Sequence, residues 1–143
     1  MVRQGFPLLA LMALACLMTG CSQGPAVGRV EGTVTLDGSP LGGAKVIFTP
    51  IDGGRPSMAV TDGSGRYELE FGPGVKGALV GKHKVSISTF EPGETDDSGQ
   101  LVGHVPERVP AKYNQDTTLI VEVKRGSQVI DFPLESQSAD KAR

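Results

Sequence analysis

A histidine and a glutamate three residues apart are the pair in this sequence whose types and spacing most suggest a metal centre. His104 and Glu107 form an H-x-x-E pattern, which can supply two ligands to zinc. A catalytic zinc site needs a third protein ligand, and the only other histidine is His83, well upstream. Pro106 lies inside the pattern and disfavours a regular element there. We therefore interpret the spacing as fortuitous and expect neither a metal site nor a cofactor.

Two short aspartate-containing stretches could suggest calcium. Residues 62–65 read DGSG, and residues 96–99 read DDSG. Neither completes the D-x-[DN]-x-[DN]-G-x5-E pattern of a calcium-binding loop. We expect solvated charge at both places, with weak, adventitious calcium binding by the second stretch as the alternative.

No residue stands out as a nucleophile. The sequence contains neither a G-x-S-x-G elbow nor a P-loop. A small hydrolase would have to use His83 or His104 as its base. We expect a protein that is not an enzyme, and a small envelope hydrolase is an alternative.

Composition excludes some partners and favours one architecture. The 143 residues carry 14 basic and 16 acidic side chains without a basic block, so we expect no nucleic-acid partner. Glycine (20) and proline (10) are plentiful, and tryptophan is absent. This profile is typical of short strands joined by many turns rather than of long helices.

The N-terminal residues have the pattern of an export signal. Arg3 supplies one positive charge, and residues 6–18 form an apolar run. A helix needs roughly twenty residues to cross a bilayer, so this run is too short for a comfortable span. The charged start, apolar middle and small-residue end are those of a secretory signal. We assign residues 1–20 to a cleaved signal peptide.

The apolar run ends at a cysteine. Met18, Thr19, Gly20 and Cys21 resemble the lipobox of bacterial lipoproteins. The resemblance implies cleavage between Gly20 and Cys21, a diacylglyceryl group on the Cys21 thiol, and a fatty acid such as palmitate on the new amine. Two or three acyl chains hold a protein stably on a membrane, whereas one does so only marginally.

We therefore expect a lipidated tether over residues 21–27 and a membrane-anchored location in the cell envelope, outside the cytoplasm. The exposed side would be the periplasmic or outer-membrane face. Cys16 would leave with the signal, so the mature chain would contain no disulfide.

Beyond the tether, apolar residues alternate with polar ones at the period of a half-buried strand. Seven short strands with frequent turns predict an all-β fold, a seven-stranded antiparallel sandwich over residues 28–135. Residues 136–143 are predicted to be a flexible tail. The seven strands centre on residues 30–36, 44–49, 58–60, 67–71, 85–87, 119–123 and 130–134.

A long connection interrupts this pattern at residues 90–110. It is acidic at first and then punctuated by prolines. Loops of this length without structure of their own are usually functional or disordered, and the sequence leaves both open.

The strands also carry a family resemblance. Residues 30–50 (VEGTVTLDGSPLGGAKVIFTP), 59–69 (AVTDGSGRYEL), 81–88 (GKHKVSIS) and 109–134 resemble the carboxypeptidase regulatory-like, or transthyretin-like, domains of small bacterial lipoproteins. The resemblance implies a prealbumin-like Greek-key sandwich. It implies no particular ligand, because one fold hosts many functions.

The glycines and aspartates of these motifs are explained by the structure of turns. We expect the glycines to occupy turn positions with positive φ, which glycine adopts without a Cβ clash. We expect the aspartates to accept hydrogen bonds from N–H groups two residues on. The residues concerned are Asp37, Gly38, Asp62, Gly63 and Gly65.

Two further stretches could carry function. Residues 124–127 read KRGS and lack the tyrosine of the Tyr-Arg-Gly-Ser motif that ends the transthyretin-like hydrolases, so we expect a hairpin turn. Tyr113 is expected to pack its ring on the sandwich edge, with a contact to a ligand as the alternative.

The function that these patterns favour is a non-catalytic, lipid-anchored binding or spacing module. It would act through sheet edges and the 90–110 loop on an unidentified envelope protein. A carbohydrate-binding module is an alternative, although the sequence has no tryptophan and only two tyrosines for stacking on sugars.

Overall fold

A computed structural model describes residues 24–136 of the chain. The predicted signal peptide, the cleavage position at Gly20 and the lipidation site at Cys21 lie outside the described residues. A single 3-10 turn is described, at Ala111–Tyr113. The strands are β1 Val27–Leu36, β2 Ser39–Pro40, β3 Lys45–Pro50, β4 Ser57–Val60, β5 Arg66–Glu68, β6 Glu70–Gly72, β7 Val75–Lys76, β8 Ala78–Leu79, β9 Gly81–Ser88, β10 Glu94–Thr95, β11 Leu101–Val102, β12 Ile120–Val123, β13 Ser127–Val129 and β14 Phe132–Leu134.

The first sheet is organised around the long strand β1. Strands β2, β5 and β8 pair with β1 in antiparallel orientation. Strands β13 and β14 pair with it in parallel orientation. Ile130 and Asp131 interrupt the strand between β13 and β14. There the Asp131 carboxylate accepts a hydrogen bond from Thr33 N at 2.9 Å. A side chain thus replaces a backbone acceptor at the interruption.

The second sheet has the strand order β12-β9-β3-β4-β6-β7 and is antiparallel throughout. Its longest ladder joins β3 to β9, from Lys45 opposite Ser88 to Pro50 opposite His83. The two sheets face each other, and their inward side chains form one buried core. Its members are Val30, Val34, Leu41, Ala44, Val46, Phe48, Tyr67, Leu69, Ala78, Val85, Ile87, Val109, Val123, Phe132 and Leu134.

Gly32 lets the first sheet close tightly around Tyr67. A Cβ at Gly32 would lie 1.9 Å from the Ile130 carbonyl oxygen and 3.0 Å from the Tyr67 ring. The Tyr67 hydroxyl donates a hydrogen bond to that carbonyl. Its ring lies 6.0 Å from that of Phe132. Only glycine permits this approach, because every other residue would displace the backbone.

The prediction of an all-β sandwich is confirmed, but three of its details differ. A wholly antiparallel arrangement is wrong, because β13 and β14 run parallel to β1. The count of seven strands is not confirmed. The predicted fourth strand divides at the buried Leu69, since β5 pairs with β1 and β6 pairs with β4 in the other sheet.

A further difference concerns the short strand β4. Met58 and Val60 carry its apolar pattern, yet they lie on the outer face with exposures of 52% and 61%. Ser57 occupies the buried position instead, opposite Phe48. Among residues 24–136, no helix is long and apolar enough to cross a membrane.

Candidate functional site

Residues 90–106, called the arm below, project as a β-hairpin after β9. Its two strands pair at Glu94 opposite Val102 and at Thr95 opposite Leu101. Nearer the sandwich, Glu91 and Val105 exchange backbone hydrogen bonds of 3.0 Å in each direction. From the sequence, the 90–110 connection could be either functional or disordered. Its residues 90–106 form a regular hairpin.

The tip of the arm repeats a turn found in the sandwich. Residues 95–100 (TDDSGQ) and 61–66 (TDGSGR) share the pattern T-D-x-S-G. In the arm, Asp96 Oδ1 accepts hydrogen bonds from Ser98 N at 2.9 Å, Ser98 Oγ at 2.6 Å and Gln100 N at 2.9 Å. The corresponding three bonds of the sandwich turn, to Asp62 Oδ1, measure 2.9, 2.7 and 3.0 Å.

These turns account for the aspartates that suggested calcium. The pKa of Asp96 is lowered by the Ser98 hydroxyl and the Gln100 N–H, and that of Asp62 by the Ser64 hydroxyl and the Arg66 N–H. One oxygen of each carboxylate is thus occupied by donors of its own turn. Over the described part of the chain, no three His, Cys, Asp or Glu side chains gather as a metal site would require.

The base of the arm is held by Glu107. Its Oε1 accepts hydrogen bonds from Thr89 N at 2.9 Å, Thr89 Oγ1 at 3.1 Å and Val109 N at 3.0 Å. Ser88 Oγ donates to its other oxygen. Desolvation raises the pKa of Glu107, but the hydrogen bonds from Ser88, Thr89 and Val109 outweigh it, so the pKa lies below its ordinary value.

Neighbouring polar contacts fix the segments next to this base. Asn114 Nδ2 donates to the carbonyl oxygens of Ile87 and Val109, each at 3.2 Å. Arg108 Nη2 donates to Gly42 O at 3.2 Å. These bonds tie the returning chain to β9 and to the loop before β3. The arm is therefore mounted on a hydrogen-bonded base.

The arm exposes apolar side chains that the sandwich does not cover. The exposed fractions are 48% for Phe90, 55% for Leu101, 41% for Val102 and 39% for Val105. His104 packs edge-on against Phe90 with the ring centroids 5.8 Å apart. The arm thus combines exposed apolar side chains with an acidic tip.

The two residues of the H-x-x-E pattern, His104 and Glu107, make different contacts and do not act together. His104 lies on the exposed arm, whereas the Glu107 carboxylate is engaged at its base. His83 is completely buried, with Nε2 donating to Leu79 O at 2.6 Å and its ring 5.7 Å from that of Phe48. Within residues 24–136 its Nδ1 has no hydrogen-bond partner.

The predicted turn residues behave differently from one another. Gly38 and Gly65 have φ of +81° and +79°, but Gly63 does not adopt a positive φ, and that expectation is wrong. In the first turn Asp37 also has a positive φ, +52°, beside that of Gly38. The Asp37 carboxylate, expected to hold its own turn, accepts hydrogen bonds from Ser136 instead, at 2.9 Å from Ser136 N.

The two remaining sequence stretches lie at opposite ends of the sandwich. Residues 124–127 lead from β12 in the second sheet to β13 in the first, so the expectation of a hairpin turn is wrong. Arg29 N donates to Gly126 O there at 2.7 Å. Tyr113 packs against the core with a half-buried ring, and its hydroxyl accepts from Glu135 N at 3.2 Å. Lys112 Nζ lies 5.0 Å from the centre of the Tyr113 ring.

Fold and surface together define an all-β sandwich domain that carries one projecting hairpin. No family model and no curated protein matches the chain. Its structure is similar to the crystal structure of a DUF3823 family protein from Parabacteroides merdae ATCC 43184, at 12% identity and a TM-score of 0.39. The match covers 78% of this chain and 46% of that one, so the chain spans less than half of that protein's length. A likeness this distant carries no inference about function.

Proposed function

We propose that this protein is a non-catalytic module of the cell envelope, anchored through lipid on Cys21, which presents the arm to a partner protein. The observation that carries the proposal is the arm itself. It is a hairpin held at its base by Glu107, with exposed Phe90, Leu101 and Val105 and an acidic tip. Apolar residues surrounded by charge are typical of a transient protein interface.

The positions of the N-terminal tether and of the arm at opposite ends of β1 support this arrangement. Strand β1 begins at Val27, six residues after Cys21 in the sequence, and ends at Leu36. The arm base lies toward the Leu36 end, because Arg108 binds Gly42 O and Lys45 lies 3.5 Å from Glu91. At about 3.3 Å per residue, β1 separates the tether from the arm by roughly 30 Å. An anchor at Cys21 would therefore leave the arm pointing away from the membrane.

The placement of the titratable side chains supports a non-catalytic role. A hydrolase needs a base within hydrogen-bond reach of a nucleophile in an accessible pocket. His83 is enclosed in the core, and the histidine on the arm packs on Phe90. His83 thus fills space between the sheets, and His104 belongs to the exposed surface of the arm.

The finer assignment of the fold is part of the same proposal. The chain is a prealbumin-like domain of the carboxypeptidase regulatory-like type, as the motifs at residues 30–50 and 59–69 suggest. The turns of those motifs support it. Asp37 and Gly38 form the tight hairpin between β1 and β2, and Asp62 holds the turn between β4 and β5.

An arm-deleted variant tests the presentation of the arm. Glu91 and Val105 face each other across a hydrogen-bonded bridge, so residues 92–104 can be replaced by Asn-Gly to close a short hairpin. We expect the wild-type protein to co-purify one envelope protein in near-stoichiometric amount from its native cell, and the variant to lose it. Retention of the same protein by a folded, arm-deleted variant would overturn the proposal.

A Cys21→Ala variant tests the anchor separately. We expect the wild-type mature protein to fractionate with membranes and to carry the mass of a diacylglyceryl group plus a fatty acid. The variant should accumulate with residues 1–20 uncleaved. A mature wild-type protein without added lipid mass would show that the proposed anchor is wrong. The proposed role of the arm would then still be tested by the arm-deleted variant.

A further inference from the structure

We infer that the end of the sandwich opposite the arm is a docking surface for an anionic phospholipid leaflet. This end, called the basal end, consists of the segments at residues 50–56, 72–82 and 123–127, which include short strands and are called the basal loops. They lie together, because Ile51 N donates to Lys82 O at 3.0 Å and Val123 lies opposite Gly81 in the β9–β12 ladder. Val80 N donates to Ala26 O at 2.9 Å. The last contact places the basal end beside the segment that leads back to Cys21. The inference rests on the proposed anchor for its biological setting but not for its test.

Charge is distributed unequally between the two ends. The basal loops carry five cations and one anion, a net charge of +4. The segments at the arm end, residues 37–45, 61–66, 88–118 and 134–136, carry four cations and nine anions, a net charge of −5. The basal cations are Arg55, Lys76, Lys82, Lys124 and Arg125.

Four of the five basal cations are available to a charged surface. Lys76 lies 3.0 Å from Glu70 and 3.4 Å from Glu68, so those carboxylates partly neutralise it. Lys124 and Arg125 occupy one exposed turn. Lys82 lies opposite Glu122 in the β9–β12 register without an ion pair to it, and Arg55 lies over the Phe71 ring at 5.9 Å. Anionic lipid attracts such cations and repels the arm end.

Apolar side chains at the same end suit the interface of a bilayer. Ile51 is 52% exposed, Val75 is 44% exposed and Val80 is 39% exposed. Each lies in a basal loop and can enter the headgroup region while the neighbouring cations contact phosphate. This mixture of cations and exposed aliphatic side chains fits a lipid surface better than a nucleic acid, whose recognition uses exposed aromatics and a wider basic field.

The chain between the sandwich and Cys21 restricts the distance from the membrane. Six residue steps separate Cys21 from Val27, so at about 3.6 Å per residue the connection spans at most roughly 20 Å. A lipid on Cys21 would thus keep the basal loops within reach of the headgroups. Binding of the basal end to the membrane would then orient the domain, with β1 roughly perpendicular to the membrane and the arm pointing away from it.

Vesicle binding of a chain that begins at Ser22 tests the surface without acylation. Every core residue lies between Val30 and Leu134, so this chain keeps the whole sandwich, and a cooperative thermal transition verifies its folding. We expect it to co-float with phosphatidylcholine vesicles only when phosphatidylglycerol is added, and to dissociate as salt rises. The double substitution Lys124→Gln and Arg125→Gln should weaken binding about 25-fold, since each cation near an anionic surface contributes about fivefold.

A charge-matched control separates local docking from net charge. Lys45→Gln with Lys112→Gln removes the same charge from the arm end and should leave binding unchanged. A polarity-sensitive dye on Ser127→Cys should shift to shorter wavelength on anionic vesicles, whereas the same dye on Gln100→Cys should not. Both cysteines of the sequence precede Ser22, so each dye has one attachment site.

Three results would overturn the inference: equal flotation with both vesicle types, equal losses from the two double variants, or a shift of the dye at Gln100 alone. Because this chain lacks Cys21, the outcome is independent of lipidation. Failure of the anchor is seen in the mass of the mature protein, and failure of the basal surface is seen in flotation.

Discussion

The Glu107 carboxylate accepts a hydrogen bond from the Thr89 backbone N–H at 2.9 Å, and this pair closes the base of the arm. Thr89 directly follows β9 and leads into the arm, whereas Glu107 directly follows the arm. The contact converts a long connection into a hairpin with a fixed root. The geometry of the arm should therefore depend on one carboxylate.

Replacement of Glu107 by Gln should loosen the arm and leave the sandwich folded. The amide keeps the shape of the side chain but loses the charge that strengthens the bonds from Ser88, Thr89 and Val109, at a cost of about 1–2 kcal/mol. We expect faster hydrogen exchange at the amides of residues 90–106 with little change in Tm. Glu94→Gln, on the arm but away from its base, is the control and should exchange like the wild type. Unchanged exchange in Glu107→Gln would show that the base is held by other contacts.

Acid should destabilise the protein through its hydrogen-bonded carboxylates. The pKa values of Asp37, Asp62, Asp96 and Glu107 lie below their ordinary values of 3.8 for Asp and 4.5 for Glu. For a lowered folded pKa, the stabilisation is fully present above the unfolded value and is lost as pH falls through the folded pKa. The free energy of unfolding should thus be level above pH 4.5 and fall below it, and urea titrations across this range measure it. Glu107→Gln should make the fall shallower, and a stability that rises on acidification would contradict the assignment.

The repeated turn offers a matched pair of glycines. Gly65 and Gly99 have φ of +79° and +81°, so alanine imposes the same backbone strain at both, about 1–2 kcal/mol. A Cβ at Gly65 would also lie 2.5 Å from Val34 O, whereas a Cβ at Gly99 meets nothing within 4 Å. We expect Gly65→Ala to lower Tm clearly more than Gly99→Ala, whose effect should be confined to exchange in the arm. Equal shifts in Tm would mean that packing around Gly65 adds nothing.

Tyr67 should make the protein sensitive to alkali. Burial, with a smaller contribution from Asp131, raises the pKa of Tyr67 above its ordinary value of 10.0. The unfolded chain then releases a proton near pH 10 that the folded chain retains, so the free energy of unfolding falls as pH rises above 10. Tyr67→Phe should remove this fall and cost about 1–3 kcal/mol at neutral pH, because the Ile130 carbonyl loses its donor. Denaturation curves at neutral and alkaline pH measure both, with Tyr113→Phe as the control.

Much of the fold could be predicted from alternation along the chain. The inward side chains of β1, β3 and β9 follow the apolar pattern, because a strand that is half buried needs a period of two. Alternation identifies a face but not a partner or a direction. It therefore could not show that the chain changes sheets at Leu69 or that β14 runs parallel to β1. It also failed at Met58 and Val60, where both faces of a short strand carry apolar residues.

The arm could have been predicted in part. The hexapeptide TDDSGQ at residues 95–100 repeats the pattern of TDGSGR at residues 61–66, so a turn assigned to one implies a turn in the other. The role of Glu107 could not be predicted, because its partners Ser88 and Thr89 precede the hairpin whereas Glu107 follows it. Pairings so distant in sequence leave no local pattern.

The most direct test of the proposed role is site-specific photo-crosslinking in the native cell. A photoreactive amino acid at Leu101 reports on the arm, and the same amino acid at Ile51 reports on the basal end. We expect Leu101 to give one discrete protein adduct and Ile51 to give adducts with phospholipid. A protein adduct from Ile51 together with none from Leu101 would contradict the proposal that the arm faces a partner and the opposite end faces the membrane.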